Sequence, residues 1–424
     1  MPDVQTNHPE GPQPLGEQQL RLGVYVWIDL PWTAHPFLRN RFRISSDKQL
    51  KTLRELGPKS LYWIPALSDA APLPPVTSAA TPPSPPPPPA APVAVATGEQ
   101  RLRRQRLIAA RIQREWDASS QQVRESLLGM RDNPKQAGAG MRDLAARLAS
   151  AMNQGPVLLQ LLGKQPGEGL QHHALNCMTL SMLLARSMNL SSTTVGAIGL
   201  GALAHDIGKL LIPAHVLRAE NRSSVQESWY REHCRLGVEL ATDSGAFSEH
   251  AIAAIRDHHE ALDGSGFPAG KLGPQIGVAA RIVAIANRYD RLCSPESPKA
   301  RSRALLPAEA LKTMWRDEQA RLDPSLLAAL VRLLGVYPPG TLVKLSDGSL
   351  ALSVSPGKSS LLPKVLIHDP DIDKSEALLV DLADTAGQLS VEKSLHPDEM
   401  PEDALAWLNP RESLTYYFSD ESVD

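Results

Sequence analysis

The spacing of hydrophobic and polar positions divides the chain into stretches of different period. Over residues 20–28, apolar and polar residues alternate in a β-branched run, the pattern of a half-buried strand. Residues 42–44 predict a second strand, reached by a loop through Trp32 and 35–38. Ser46 is placed to cap a short helix running to Leu56, and residues 60–64 predict another strand. Residues 19–68 therefore read as a small α+β module behind a disordered tail, 1–18. Further on the period becomes helical. Ile108, Ile112, Trp116, Val123, Leu127 and Met130 lie near one face of a helix over 99–131, and a second helical piece covers about 141–152. These make up a connecting segment, 101–153. Residues 154–336 are predicted mostly helical, with apolar runs at 175–190, 195–203, 252–256 and 282–286. After Tyr337-Pro338-Pro339-Gly340 the alternation returns. Residues 341–345 and 349–354, joined through Asp347-Gly348, predict a β-hairpin, and 364–367 and 377–382 add strands. Residues 337–424 thus form a small β-rich module, and the chain as a whole is mainly α.

Between the first module and the helices, residues 69–100 are a linker dense in proline, with five in succession at 85–89. Such a stretch is an extended spacer of roughly 3 Å per residue; a signalling partner that binds proline-rich chain is the other use it allows. A length of 424 residues suits two or three domains, and 42% hydrophobic residues suffice for an ordinary core. A formal charge of −2 argues against general DNA or membrane-surface binding. The arginines at 101, 103, 104, 106, 111 and 114 read as a solvated helix face, and the apolar face of that helix suggests a homodimer through 101–131. Cys177, Cys234 and Cys293 are far apart, with no paired spacing for a disulfide framework or a cysteine-rich zinc site. They read as small buried hydrophobes. With no signal sequence and no run long enough for membrane insertion, a cytoplasmic location is expected.

The chemistry concentrates where apolar helices end. Residues 195–203 are small and apolar, then His205-Asp206-Ile207-Gly208-Lys209 follows. Burying an imidazole and a carboxylate without partners is costly, and a divalent metal is a partner that suits both. The same arrangement recurs. His172-His173 precede one helix, His233 opens another stretch, and His258-His259-Glu260 end a third. Asn287 and Asp290 lie at the end of a fourth. Facing helices can bring such ligands to a common centre. Two metals about 3.5–4 Å apart activate water and clamp a phosphoryl oxygen. Lys209 would balance phosphate charge, and the glycines of Asp263-Gly264-Ser265-Gly266-Phe267-Pro268 permit close backbone approach. His35, His172, His215 and His250 are better explained by packing, capping or solvent.

These motifs, His205–Lys209, His258-His259-Glu260 and 263–268, occur in the order and spacing of the HD-GYP family, which the region 155–336 resembles. That family is a branch of the HD metal-dependent phosphohydrolases and hydrolyses the bacterial messenger cyclic di-GMP. Residues 20–66 resemble a module often found ahead of such domains, and the β-rich tail is similar to theirs. The resemblance implies metal ligands at His173, His205, Asp206, His233, His258 and His259, with Asn287 at the position of a further bridging aspartate. It implies catalytic roles for Asp206 and Lys209. It places Lys209, Asp263, Gly264, Gly266, Phe267, Pro268, Asp290 and Lys299 on the substrate side. Two divalent ions are expected, iron or manganese rather than zinc, since the ligands carry no thiolate.

The chain departs from the family at four positions. Asn287 replaces a carboxylate and removes one charge. Glu296 stands where an arginine would grip phosphate. Phe267 replaces the tyrosine of the Gly-Tyr-Pro motif, and Gly169 stands where some members have a glutamate ligand, which argues against a third metal. Two readings follow: a phosphodiesterase with activity reduced by Asn287 and Glu296, or a domain that signals as a cyclic-dinucleotide sensor or protein-interaction module.

Overall fold

The computed structural model describes residues 12–29, 41–54, 61–74, 98–153, 157–162, 170–295, 304–385, 388–408 and 415–420. The chain forms two compact units, Met1–Val95 and Ala96–Asp424.

In the first unit β1 (Gln13–Pro14), β2 (Tyr25–Ile28), β3 (Arg41–Arg43), α1 (Asp47–Arg54) and β4 (Leu61–Trp63) follow in chain order. The sheet is antiparallel, in the order β1-β4-β2-β3. Alternation in β2 sends Val26 and Ile28 into a core with Leu20, Val24, Ile44, Leu53 and Leu61. Residues 12–18, expected to belong to a disordered tail, instead supply β1 and bury Leu15 in that core. A lone leucine among proline, glycine and glutamine carries no periodic signal, so only the fold reveals its place.

The second unit begins with α2 (Gly98–Gly129) and α3 (Pro134–Asn153), then β5 (Val157–Leu162). The bundle continues with α4 (Leu170–Ser187), α5 (Ser192–Ala204), α6 (Ala214–Leu217), α7 (Ser224–Arg231), α8 (His233–Ser244) and α9 (Glu249–Asp257). It ends with α10 (Val278–Cys293), α11 (Pro307–Asp317) and α12 (Pro324–Leu334). Next come β6 (Leu342–Leu345), β7 (Leu350–Ser359), β8 (Leu362–Ile367), β9 (Leu379–Asp381), β10 (Val391–Leu395), α13 (Glu402–Leu408) and β11 (Thr415–Asp420). Five strands make an antiparallel sheet in the order β10-β6-β7-β8-β9. β11 pairs with β5, Thr415 opposite Leu162 and Asp420 opposite Val157, so the end of the chain returns to the start of the helical region.

α5 is the central helix of the bundle. Its residues are small and apolar, it packs on α3, α4 and α9, and Ser191 caps it by accepting from the Thr194 N–H. The stripe on α2 that suggested a homodimer is used within the chain: Ile112, Trp116, Val123 and Leu127 are buried in the same core as α4 and α5. That burial accounts for the stripe within one chain. Among the described residues no helix is long and apolar enough to cross a membrane.

Candidate metal centre

α5 ends on His205, and Asp206 opens a short 3-10 turn over Ile207–Leu211. His205, Asp206 and Lys209 are all buried. The turn lies directly against the start of α8, and Gly208 makes this possible. A Cβ there would meet the His233 carbonyl oxygen at 1.9 Å. Because that contact is allowed, His233 Nε2 comes within 3.6 Å of Asp206 Oδ1. α9 delivers His258 and His259 at its end, the first turn of α4 delivers His173, and α10 delivers Asn287 and Asp290.

The rings are oriented by their own helices. His205 Nδ1 donates to the Ala202 carbonyl (2.7 Å), His233 Nδ1 to Tyr230 (2.6 Å) and His258 Nδ1 to Ile255 (2.9 Å). A carbonyl only accepts, so in each ring the hydrogen is on Nδ1 and the Nε2 lone pair points inward. His173 Nδ1 donates to Asp290 Oδ2 at 2.6 Å, and Asp290 is held in turn by the Asn176 amide at 2.7 Å. Burial favours the neutral form of His173, His233, His258 and His259. It lowers His173 and His233 to about 4, and His258 and His259 well below the ordinary histidine value.

The inward nitrogens meet in pairs: His173 and His205 Nε2 are 3.1 Å apart, and His233 and His258 Nε2 3.4 Å. Two lone pairs with no proton between them repel, and a shared cation turns that repulsion into coordination. Asp206 spans both pairs. Its Oδ2 is 3.4 Å from His205 Nε2 and 3.7 Å from His173 Nε2, while Oδ1 faces His233 and, at 3.9 Å, His258. Asp206 Oδ1, His259 Nε2 and Asn287 Oδ1 are buried without a hydrogen-bond partner. Buried polar atoms seldom lack one, and a metal would satisfy all three. Among the described residues, two groups of ligand atoms lie close enough to hold an ion: Asp206 with His233, His258 and His259, and His173 with Cys177 and His205. In the second group burial pushes the Cys177 thiol well above its usual range, which favours its neutral form.

Burial alone would raise the pKa of Asp206, but Lys209, then His205 and Arg291, outweigh it and hold the carboxyl well below the usual range. Lys209 Nζ and Arg291 Nη2 contact Oδ2 at 2.9 and 2.8 Å. Lys209 therefore reaches the centre itself. Asp290 lies behind His173, buried and engaged with it and Asn176. Asp263 is exposed and accepts from the Ser265 N–H and hydroxyl. Gly266 presses on its own chain, since a Cβ there would meet Ala261 N at 2.3 Å. Phe267 stacks on the His259 ring with centroids 4.4 Å apart, while Gly264 and the exposed Pro268 complete the loop. Gly169, Glu296 and Lys299 lie outside the described residues.

Sequence reasoning missed the arginines. Arg291 follows Asn287 by four positions, one helical turn, and that spacing was the available signal. A cavity of about 230 Å³ opens beside His258, His259 and Asn287, and its wall includes Arg288, Arg291, Glu318 and Arg321.

The sequence profile of the HD domain matches residues 156–326, and that of a domain of unknown function, DUF3391, matches 17–139. The cyclic di-GMP phosphodiesterase PA4108 of Pseudomonas aeruginosa is 31% identical over 82% of this chain and 83% of its own length. The cyclic di-GMP phosphodiesterase response regulator RpfG of Xanthomonas campestris pv. campestris is 36% identical over 35% of this chain and 39% of that protein. The 3'3'-cGAMP-specific phosphodiesterase 3 of Vibrio cholerae is 32% identical over 37% and 33%. The similarity to the last two is thus confined to about a third of each.

Proposed function

Because the chain belongs to the HD-GYP branch of the HD-domain proteins, we propose that it is a cytoplasmic, metal-dependent phosphodiesterase that opens cyclic di-GMP. The observation that carries this reading is the pairing of Nε2 lone pairs on either side of one ionised carboxylate. His173, His205 and Asp206 Oδ2 would hold one divalent ion. Asp206 Oδ1, His233, His258 and His259 would hold a second, with the Asn287 amide oxygen beside it. The ligand set, imidazole and carboxylate, favours iron or manganese over zinc. When bound, the ions supply Lewis acidity toward a phosphoryl oxygen and activate water for attack.

The chain's own residues set the geometry. Asp290 positions His173 by taking its Nδ1 proton in a hydrogen bond. Lys209, already against Asp206, is placed to neutralise phosphate charge, a part we also assign to Lys299. Phe267 flanks His259 and shapes the entrance with Asp263, Gly264, Gly266 and Pro268. The test is hydrolysis of cyclic di-GMP by the purified chain with manganese or iron added. Turnover is expected, and is expected to vanish in the His205→Ala/Asp206→Ala variant. A parent no faster than that variant would overturn the reading.

Asn287 favours a second reading, because an amide in place of a carboxylate leaves the ions less neutralised. The domain would then turn over slowly or act as a sensor that passes its state to a protein partner. Calorimetry separates the two, since binding without product supports the sensor. A panel including 3'3'-cGAMP tests which cyclic dinucleotide is preferred.

A further inference from the structure

We infer that the arginine-lined cavity beside the metal centre is the seat of the second phosphate of a cyclic dinucleotide, and that Arg288, Arg291 and Arg321 select such rings over substrates with one phosphate. This rests on the cyclic-dinucleotide reading and adds a place for the half of the substrate that does not react.

The cavity begins at His258, His259 and Asn287, so a ligand gripped at the centre extends directly into it. Three arginines and two glutamates, Glu260 and Glu318, line its wall, and Glu260 is turned to the Ala269 and Lys271 N–H groups, from which it accepts at 2.7 and 2.8 Å. Glu318 is buried and already engaged: Arg288 Nε lies 2.9 Å from both of its oxygens. Arg288 Nη2 donates to the same carboxylate at 2.5 Å, so the pair is two-pronged and fixes the plane of the guanidinium at the cavity wall. Arg291, one turn further along α10, is anchored by Asp206 and links the cavity to the centre. Arg321 stands exposed at the rim. Its backbone is tied on both sides, with its N–H donating to the Glu318 carbonyl and its carbonyl accepting from Leu262, next to the 263–268 loop. The wall thus carries three guanidinium groups against two carboxylates, with Arg288 and Arg291 anchored by their side chains and Arg321 by its backbone, which suits an anion that must be oriented as well as attracted.

A cyclic dinucleotide has two phosphodiesters across one ring. With one at the ions, the other needs a counter-charge at a distance from them. A diester with a single phosphate has nothing to place there. Arg321 is the residue to test, because it touches neither Asp206 nor a predicted ligand. The full chain, loaded with manganese, is assayed with cyclic di-GMP and with bis(p-nitrophenyl) phosphate. Arg321→Met and Arg321→Glu are expected to raise the KM for cyclic di-GMP by about tenfold or more, the reversal more strongly. Metal content and kcat/KM for the single-phosphate diester should stay within about twofold of the parent. Calorimetric titration with cyclic di-GMP gives the same comparison if turnover is slow. An unchanged KM, or equal losses on both substrates, would overturn the proposal and leave the phosphodiesterase reading standing. A parent that neither binds nor hydrolyses cyclic di-GMP would remove both.

Discussion

Replacing Gly208 with alanine probes the contact on which the centre is built. The added methyl would sit 1.9 Å from the His233 carbonyl oxygen and 2.6 Å from the Gly237 nitrogen. Both are backbone atoms, so no rotamer change relieves the clash. Reaching even 3.0 Å from that oxygen requires the turn and α8 to separate by about 1.1 Å. Asp206 and His233 stand on the two segments being parted, with Oδ1 and Nε2 only 3.6 Å from each other. Metal–ligand distances tolerate about 0.2 Å, so the separation should disable the ion on that side. Overpacking of this kind costs ~1–3 kcal/mol, and a displacement of ~1 Å at a reacting centre costs ~100-fold in rate. Thermal unfolding, manganese content after gel filtration and kcat/KM are the measurements. Gly277→Ala is the control. No atom lies within 4 Å of its Cβ position, and its φ of −61° suits any residue. It should stay within ~1 kcal/mol of the parent. A Gly208→Ala protein with parental manganese affinity and parental unfolding temperature would refute the claim that this contact sets the ligand geometry.

Two further outcomes are expected. Asp290→Asn leaves only one acceptor oxygen for two donors, His173 Nδ1–H and the Asn176 amide; manganese affinity, read by competition with a chelator, should fall ~10–100-fold, and parental affinity would contradict the positioning role. In chelator, acid should destabilise the fold. His173 and His233 are lowered from 6.5 to about 4 by burial, so between those values the unfolded chain takes up protons that the folded chain does not. Their stabilisation is complete above pH 6.5 and lost toward pH 4, on the order of 2 kcal/mol from each at pH 5. Urea unfolding at pH 7 and pH 5 measures it, and equal or greater stability at pH 5 would count against buried neutral rings.

Much of the site was legible in the linear chain because its residues stand at helix ends. An imidazole or carboxylate closing an apolar run demands a partner, and His205, Asp206 and His258 advertised themselves in that way. Glycine beside them was legible too, though its purpose was not. The glycines of the 263–268 loop were expected to admit a ligand; Gly266 instead admits the chain's own backbone at Ala261. Local spacing also placed the main helices, since the 3.6-residue period needs only near neighbours.

What the sequence by itself determined is therefore local: the periods, the caps, and which short segments carry metal-binding chemistry. Tertiary structure decided everything that depends on distance between remote segments. The apolar face of α2 is equally suited to a second copy or to its own core, and only packing chose the core. The apolar run at 157–162 found its strand partner more than 250 residues later. Arg291 became part of the site because α10 passes the end of α5, which leaves no mark on the residues around it. Hydrophobicity and hydrogen-bond capacity belong to each residue, whereas proximity across the chain comes into being only when the core closes.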